Sequence, residues 1–346
     1  MDSRSETTVR QRRAAAFLVL WLVVSGAASA ASAPPKGKED PASDAPRPVD
    51  EAPSRLIVKS ELYETPAACR KPDGTFDQPA LVEHQKGRLE KINKRLGINL
   101  GMAETKHYLI FSNADAAMTG NFIKWCEALH ANLCSQFGIP TGERVWDGKC
   151  LLLLFNSRVA FTMYAQTFDK YSAARAGAYL AAENLTPAGP NLLHICMPLD
   201  ERNIRYHQEI FAHEGTHAFF MLYRTPGRLP RWLNEGLAEY MTTVNDSSLR
   251  AKKLRPASEY ARKSFSISHV FEERGVYGLN WEDYSVCFTL VDFLLRAGRP
   301  KFKKFVDGLK DGKDQETALK AAYGFSIADL ERRWQIYMED YIRKYR

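Results

Sequence analysis

Two short stretches carry side chains that do chemistry, at spacings that let them cooperate: His213-Glu214-Gly215-Thr216-His217 and Asn234-Glu235-Gly236-Leu237-Ala238-Glu239-Tyr240. On an α-helix, residues four apart project from one face a turn apart, so His213 and His217 can bring two imidazole nitrogens to one cation. Glu214 follows the first histidine and is rotated by roughly 100° around the helix axis, which puts it beside the cation rather than on it. Zinc lowers the pKa of a bound water toward about 7, and a neighbouring carboxylate can take its proton as the water attacks a carbonyl carbon. His213 and His217 are therefore candidate ligands and Glu214 the candidate general base.

A structural zinc site fills four positions with protein atoms, whereas a hydrolytic one keeps three protein ligands and a water. The third ligand must come from outside the pentad. Between His217 and Glu235 lie 17 residues, including the breaker cluster Arg224-Thr225-Pro226-Gly227-Arg228-Leu229-Pro230. Pro226 and Gly227 are expected to end the first helix, and Pro230 to take the first position of a second. On that second helix Glu235 and Glu239 share a face. Only one can be a good ligand, which makes Glu235 the third ligand and leaves Glu239 to accept a hydrogen bond from a ligand histidine and fix its tautomer. Gly236, without a side chain, is expected to let the two helices approach closely beside the metal.

These residues resemble the gluzincin (peptidase MA-like) metallopeptidases, the superfamily that includes thermolysin-like enzymes and the zinc aminopeptidases. In that pattern a His-Glu-x-x-His helix is followed by a glutamate from a later helix, often within Asn-Glu-Gly-x-Ala. The resemblance implies one zinc per chain on His213, His217 and Glu235, with Glu214 as catalytic base and Glu239 as the carboxylate behind a ligand. It implies an α+β, two-lobed catalytic domain, with a mixed sheet and helices in the N-terminal lobe, an all-helical C-terminal lobe and the zinc site between them. It is sharp over residues 206–240 and looser over roughly 105–340, and the nearest branch is the exported bacterial members. The spacing to Glu235 is slightly shorter than in the best-known members.

Gluzincins often supply a tyrosine or histidine after the third ligand to stabilise the developing oxyanion. The candidates are His269, Tyr277 and Tyr284, and Tyr284, which opens a helix-like run, is preferred. Peptide-bond hydrolysis is the expected reaction and a peptide or protein the expected partner. Two further readings keep the metal: a catalytically inactive, zinc-containing cell-envelope protein that binds peptide or polymer, and a zinc hydrolase of a non-peptide amide. Glu183-Asn184 departs from the Gly-x-Met-Glu-Asn of the aminopeptidases and reads as a hairpin loop.

The remaining sequence positions this site. Arg10, Arg12 and Arg13 precede an apolar run from Ala14 to Val24 and small residues to Ala33, so residues 1–33 read as a secretory signal peptide and predict a secreted or periplasmic protein. The run is short for a membrane span of about 20 residues, so no stable span is expected after cleavage. Residues 34–54, rich in proline, alanine and charge, read as a disordered spacer. The formal charge of +7 falls to +5 when residues 1–33 are removed, and no basic-aromatic cluster accompanies it, so no nucleic-acid partner is expected. Six cysteines with no Cys-x-x-Cys pair exclude a cysteine zinc or redox motif; disulfides and buried thiols are both open.

The folded part is expected over 55–346, as an α/β lobe over 55–205 and a helical lobe over 206–346. Strands are predicted at 107–111, 150–155, 178–182 and 192–197, and helices at 118–137 and 159–168. One of the last two strands is expected at the sheet edge, where an extended substrate could pair with it. Apolar stripes through Val286, Leu290 and Leu294, through Phe302, Phe305 and Leu309, and through Leu330, Trp334 and Met338 predict core helices, the last capped by Ser326 and Asp329. The sequence does not indicate an oligomeric state.

Overall fold

The fold is taken from a computed structural model. It describes residues 56–57 and 67–344, apart from 141, 183–184, 186–188, 191, 200–202, 245, 264 and 273–278. The signal-peptide and spacer expectations and Tyr277 lie outside the described residues.

Three apolar runs build the middle of the sheet: β3 (Tyr108–Ser112), β4 (Cys150–Phe155) and β6 (Leu193–Pro198), buried at every position. Parallel strands covered on both faces read as continuous apolar stretches, and these three are mutually parallel in the order β3-β4-β6. Outside them lie β2 (Gly101–Glu104), antiparallel to β3, and β5 (Tyr179–Ala182), antiparallel to β6. The two-residue β1 (Leu56–Ile57) pairs in parallel with β5. The sheet order is thus β1-β5-β6-β4-β3-β2. This corrects the expected edge: the 192–197 strand is interior, between β4 and β5. The outer side of β5 carries the backbone of Leu56–Ile57, a pairing that no local pattern in either segment announces.

Side chains alternate between two cores, as the period of a strand requires. Leu109, Phe111, Leu151, Leu153 and Tyr179 face α2 (Arg88–Leu96) and α4 (Arg158–Phe168), while Tyr108, Ile110, Leu152, Leu154 and Ile195 face α3 (Ala116–Phe137) and α5 (Ile204–Leu222). Within the first core Asp169 Oδ2 accepts from Tyr179 and lies 2.8 Å from His194 Nε2. Burial raises Asp169 to about 7 and lowers His194 to about 3, so near neutrality the imidazole is uncharged.

The second core continues without a break into the C-terminal helices: α6 (Arg231–Thr242), α7 (Ser247–Arg262), α8 (Trp281–Ala297), α9 (Arg299–Lys310), α10 (Gln315–Tyr323) and α11 (Ile327–Lys344). The predicted stripes are its buried faces, and Ser326 and Asp329 exchange the expected capping bonds. The chain is α+β with a mixed sheet. All six cysteines are free and buried. Among the described residues no helix is long and apolar enough to cross a membrane.

Helix α5 ends earlier than its proline and glycine suggested. Its last residue is Leu222, and Arg224 turns the chain with φ +62° while its guanidinium grips both Asp311 oxygens at 2.9 and 3.0 Å. Pro226 and Gly227 lie in the connection, and Pro230 is the N-cap of α6 rather than its first helical residue. The buried Lys310 Nζ donates to the carbonyls of Phe220 (2.6 Å), Met221 (3.3 Å) and Gly227 (2.7 Å), satisfying the orphan acceptors at the end of α5. Lys310→Met strands those carbonyls, and stability falls by about 1–3 kcal/mol, read as a lower midpoint in urea unfolding. An unchanged midpoint would contradict this capping role.

Candidate metal site

Three side chains on α5 recur four residues apart on one face: Glu209, His213 and His217. The helix is started by Asn203, whose side chain accepts from the backbone of Arg205 and Tyr206 at 3.0 and 3.4 Å. Helix α6 packs against α5 and brings Glu235 and Glu239 to the histidines.

His213 Nε2 lies 3.0 Å from His217 Nε2, and Glu235 Oε2 lies 3.5 Å from the first and 3.4 Å from the second. His217 and Glu235 are buried and His213 is partly open. Two imidazole nitrogens aimed at each other can share only one proton, so the trio converges lone pairs and negative charge on one point, and it forms a group able to hold a metal ion. The carboxylates dominate its electrostatics. Burial alone would depress the His213 imidazolium, but its bonds to Glu235 and Glu239 push it up to about 10. Burial pushes the Glu235 carboxyl upward, and the two histidines outweigh it and hold that group well below its usual range.

Glu239 is placed behind the site: its Oε1 lies 3.2 Å from His213 Nδ1, the nitrogen that faces away from His217. His217 Nδ1 has no hydrogen-bond partner among the described residues. Glu214 is not part of the trio but lies within electrostatic reach of all three of its members. Its Oε2 is buried and likewise without a hydrogen-bond partner among the described residues. Burial raises its pKa, against the opposing pull of His213 and His217.

Gly236 plays a different part from the one expected. A Cβ there would lie 2.4 Å from the Cys287 carbonyl oxygen and 2.8 Å from Val291 Cγ2, so the close approach is between α6 and α8, not between α6 and the histidine helix. In α5 itself Gly215 makes room for Leu129 of α3, whose Cδ2 would lie 2.5 Å from an added Cβ.

Residues 187–340 match the family model described as "Peptidase MA superfamily". Over this segment the chain is similar to that superfamily. Two solved structures are similar to it, the M1 zinc metallopeptidase from Deinococcus radiodurans and a point mutant of that enzyme. Each is 15% identical over 69% of this chain, with TM-scores of 0.35 and 0.36. The match covers 51% and 52% of those proteins, so the chain spans about half their length. No curated protein matches it.

The matched segment contains every residue of the cluster. Of the downstream candidates, Tyr284 sits half-buried in the first turn of α8, which starts at Trp281 behind an Asn280–Asp283 capping box rather than at the tyrosine. His269 is partly exposed, with Nε2 2.9 Å from Asp283 Oδ1. Two neighbours of the site went unseen in the sequence. Tyr171, outside the matched segment, has a hydroxyl pKa raised by burial and by the negative charge of Glu214. Lys253 of α7 bonds Glu239 Oε2. Neither lies in a motif, and each reaches the site only through the tertiary fold.

Proposed function

We propose that this protein is an exported zinc-dependent metallopeptidase that hydrolyses peptide bonds. The observation that supports it most is the ligand triangle. Ligands at about 2.0–2.1 Å from a tetrahedral ion sit about 3.3–3.4 Å apart, and the three edges here measure 3.0, 3.4 and 3.5 Å. His213, His217 and Glu235 would hold the ion, leaving the fourth position open beside Glu214. A zinc ion there supplies positive charge that polarises the scissile carbonyl and acidifies water.

The chain's own residues supply the proton transfers. Glu214 Oε2, without a hydrogen-bond partner among the described residues, takes a proton from the attacking water and returns it to the departing amine nitrogen. Its buried setting raises its pKa, which brings the carboxyl nearer the working pH and makes both transfers easier. Glu239 keeps the His213 proton on Nδ1, so that Nε2 stays a lone-pair donor. Tyr284 would donate to the developing oxyanion. The arginines and apolar run of residues 1–33 support export.

The test is metal content by mass spectrometry together with cleavage of a mixed peptide library. The expected result is one zinc per chain, with cleavage lost after chelation and restored by zinc. Zinc without cleavage of any peptide would overturn the peptidase reading, and absence of bound metal after zinc addition would overturn the site.

A further inference from the structure

Lys253 stands beside Lys252 in a basic stretch of α7. Its side chain is only 17% exposed and runs from α7 into the angle between α5 and α6. Nζ bonds Glu239 Oε2 and lies 3.4 Å from Glu209 Oε1, so one ammonium ties the histidine helix to the third-ligand helix. Glu209 stands one turn before His213 on the same face of α5. The two oxygens of Glu239 are divided between two partners, Oε1 toward His213 Nδ1 and Oε2 toward Lys253.

That division matters physically. A carboxylate held by one neighbour can rotate about its last torsion, which is broad and two-fold, and a part-buried one without a cation is costly to keep ionised. The ammonium removes both freedoms: it fixes the plane of Glu239 through the oxygen His213 does not use and balances its charge. Glu209 in turn fixes the ammonium from the helix that carries the histidines. Resting on the metallopeptidase reading, we infer that Lys253 is a positioning residue of the metal centre, acting through Glu239 to aim His213 Nε2 at the cation.

The experiment measures zinc affinity, by competition with a chromogenic chelator, for the parent, Lys253→Met, Glu239→Gln and the double variant, and the unfolding midpoint of each with and without zinc. Outer partners of a metal-ligating histidine are worth about 10–100-fold in metal affinity, and Lys253→Met is expected to lose at least about tenfold by that measure. Its zinc-induced rise in midpoint should shrink along with its affinity. The double variant should bind zinc no more weakly than Glu239→Gln alone, because the inferred route from Lys253 to His213 runs through that carboxylate.

Parent-like affinity in Lys253→Met would overturn the inference. So would losses that simply add in the double variant, since these describe a packing role independent of Glu239. Should Lys253→Met fail to fold, Lys253→Gln is carried through the same cycle. A parent that takes up no zinc would instead refute the metal centre of the proposed function, an outcome distinct from either.

Discussion

Glu214→Gln is expected to leave zinc uptake at one ion per chain and to lower peptide hydrolysis by about 10²–10⁴-fold, the range that a positioned general base contributes. The amide has the shape of the carboxylate and cannot accept the proton. Shape is the point, because Glu214 contributes no atom to the His213–His217–Glu235 cluster and its Oε2 has no hydrogen-bond partner among the described residues. Neutralising it breaks no hydrogen bond of Oε2 among the described residues. Removing a buried charge whose pKa is raised mainly by desolvation should leave stability unchanged or slightly higher. Metal content, midpoint and turnover on the best library peptide would be measured on one preparation. Turnover equal to the parent would remove Glu214 from the reaction, and zinc lost along with activity would mean that the carboxylate belongs to the ligand set.

What the sequence disclosed and what it hid divide along a physical line. His213 with His217, and Glu235 with Glu239, are each fixed by one turn of helix, so their convergence follows from spacing alone. The central strands were equally legible, because strands covered on both faces must be apolar throughout, as Cys150–Phe155 is. Helix α7 was not: its sixteen residues include Pro256 and a run of basic side chains, and among its buried residues only Leu254, Ala257 and Ala261 are apolar. With α7 went Lys253. The pairing of Leu56–Ile57 with β5 depends on where the chain travels after leaving the sheet, which periodicity does not record. The role of Gly236 was half visible. The absence of a side chain was plain, but the partner, α8, lies about fifty residues further along the chain.

That partner makes Gly236→Ala the second large effect. Helices α6 and α8 cross where the Cys287 carbonyl points at Gly236, and an added methyl would sit 2.4 Å from its oxygen, 2.8 Å from its carbon and 2.8 Å from Val291 Cγ2. Carbon atoms do not pack at such distances, and two of the three obstructing atoms are helix backbone, which cannot rotate aside. The helices must separate, at a cost of about 1–3 kcal/mol for overpacking a well-filled core. Glu235 is the preceding residue, so the displacement moves the candidate third ligand as well. Gly236→Ala should therefore lower the unfolding midpoint of the metal-free protein and also weaken zinc binding, whereas Glu214→Gln should do neither. Gly215→Ala is the internal comparison. Its Cβ would meet Leu129 Cδ2, the end of a flexible side chain, so its loss should be the smaller of the two. Equal stability in Gly236→Ala and the parent would show that α6 and α8 are not packed as described, and the position of Glu235 beside His213 and His217 would fall with that packing.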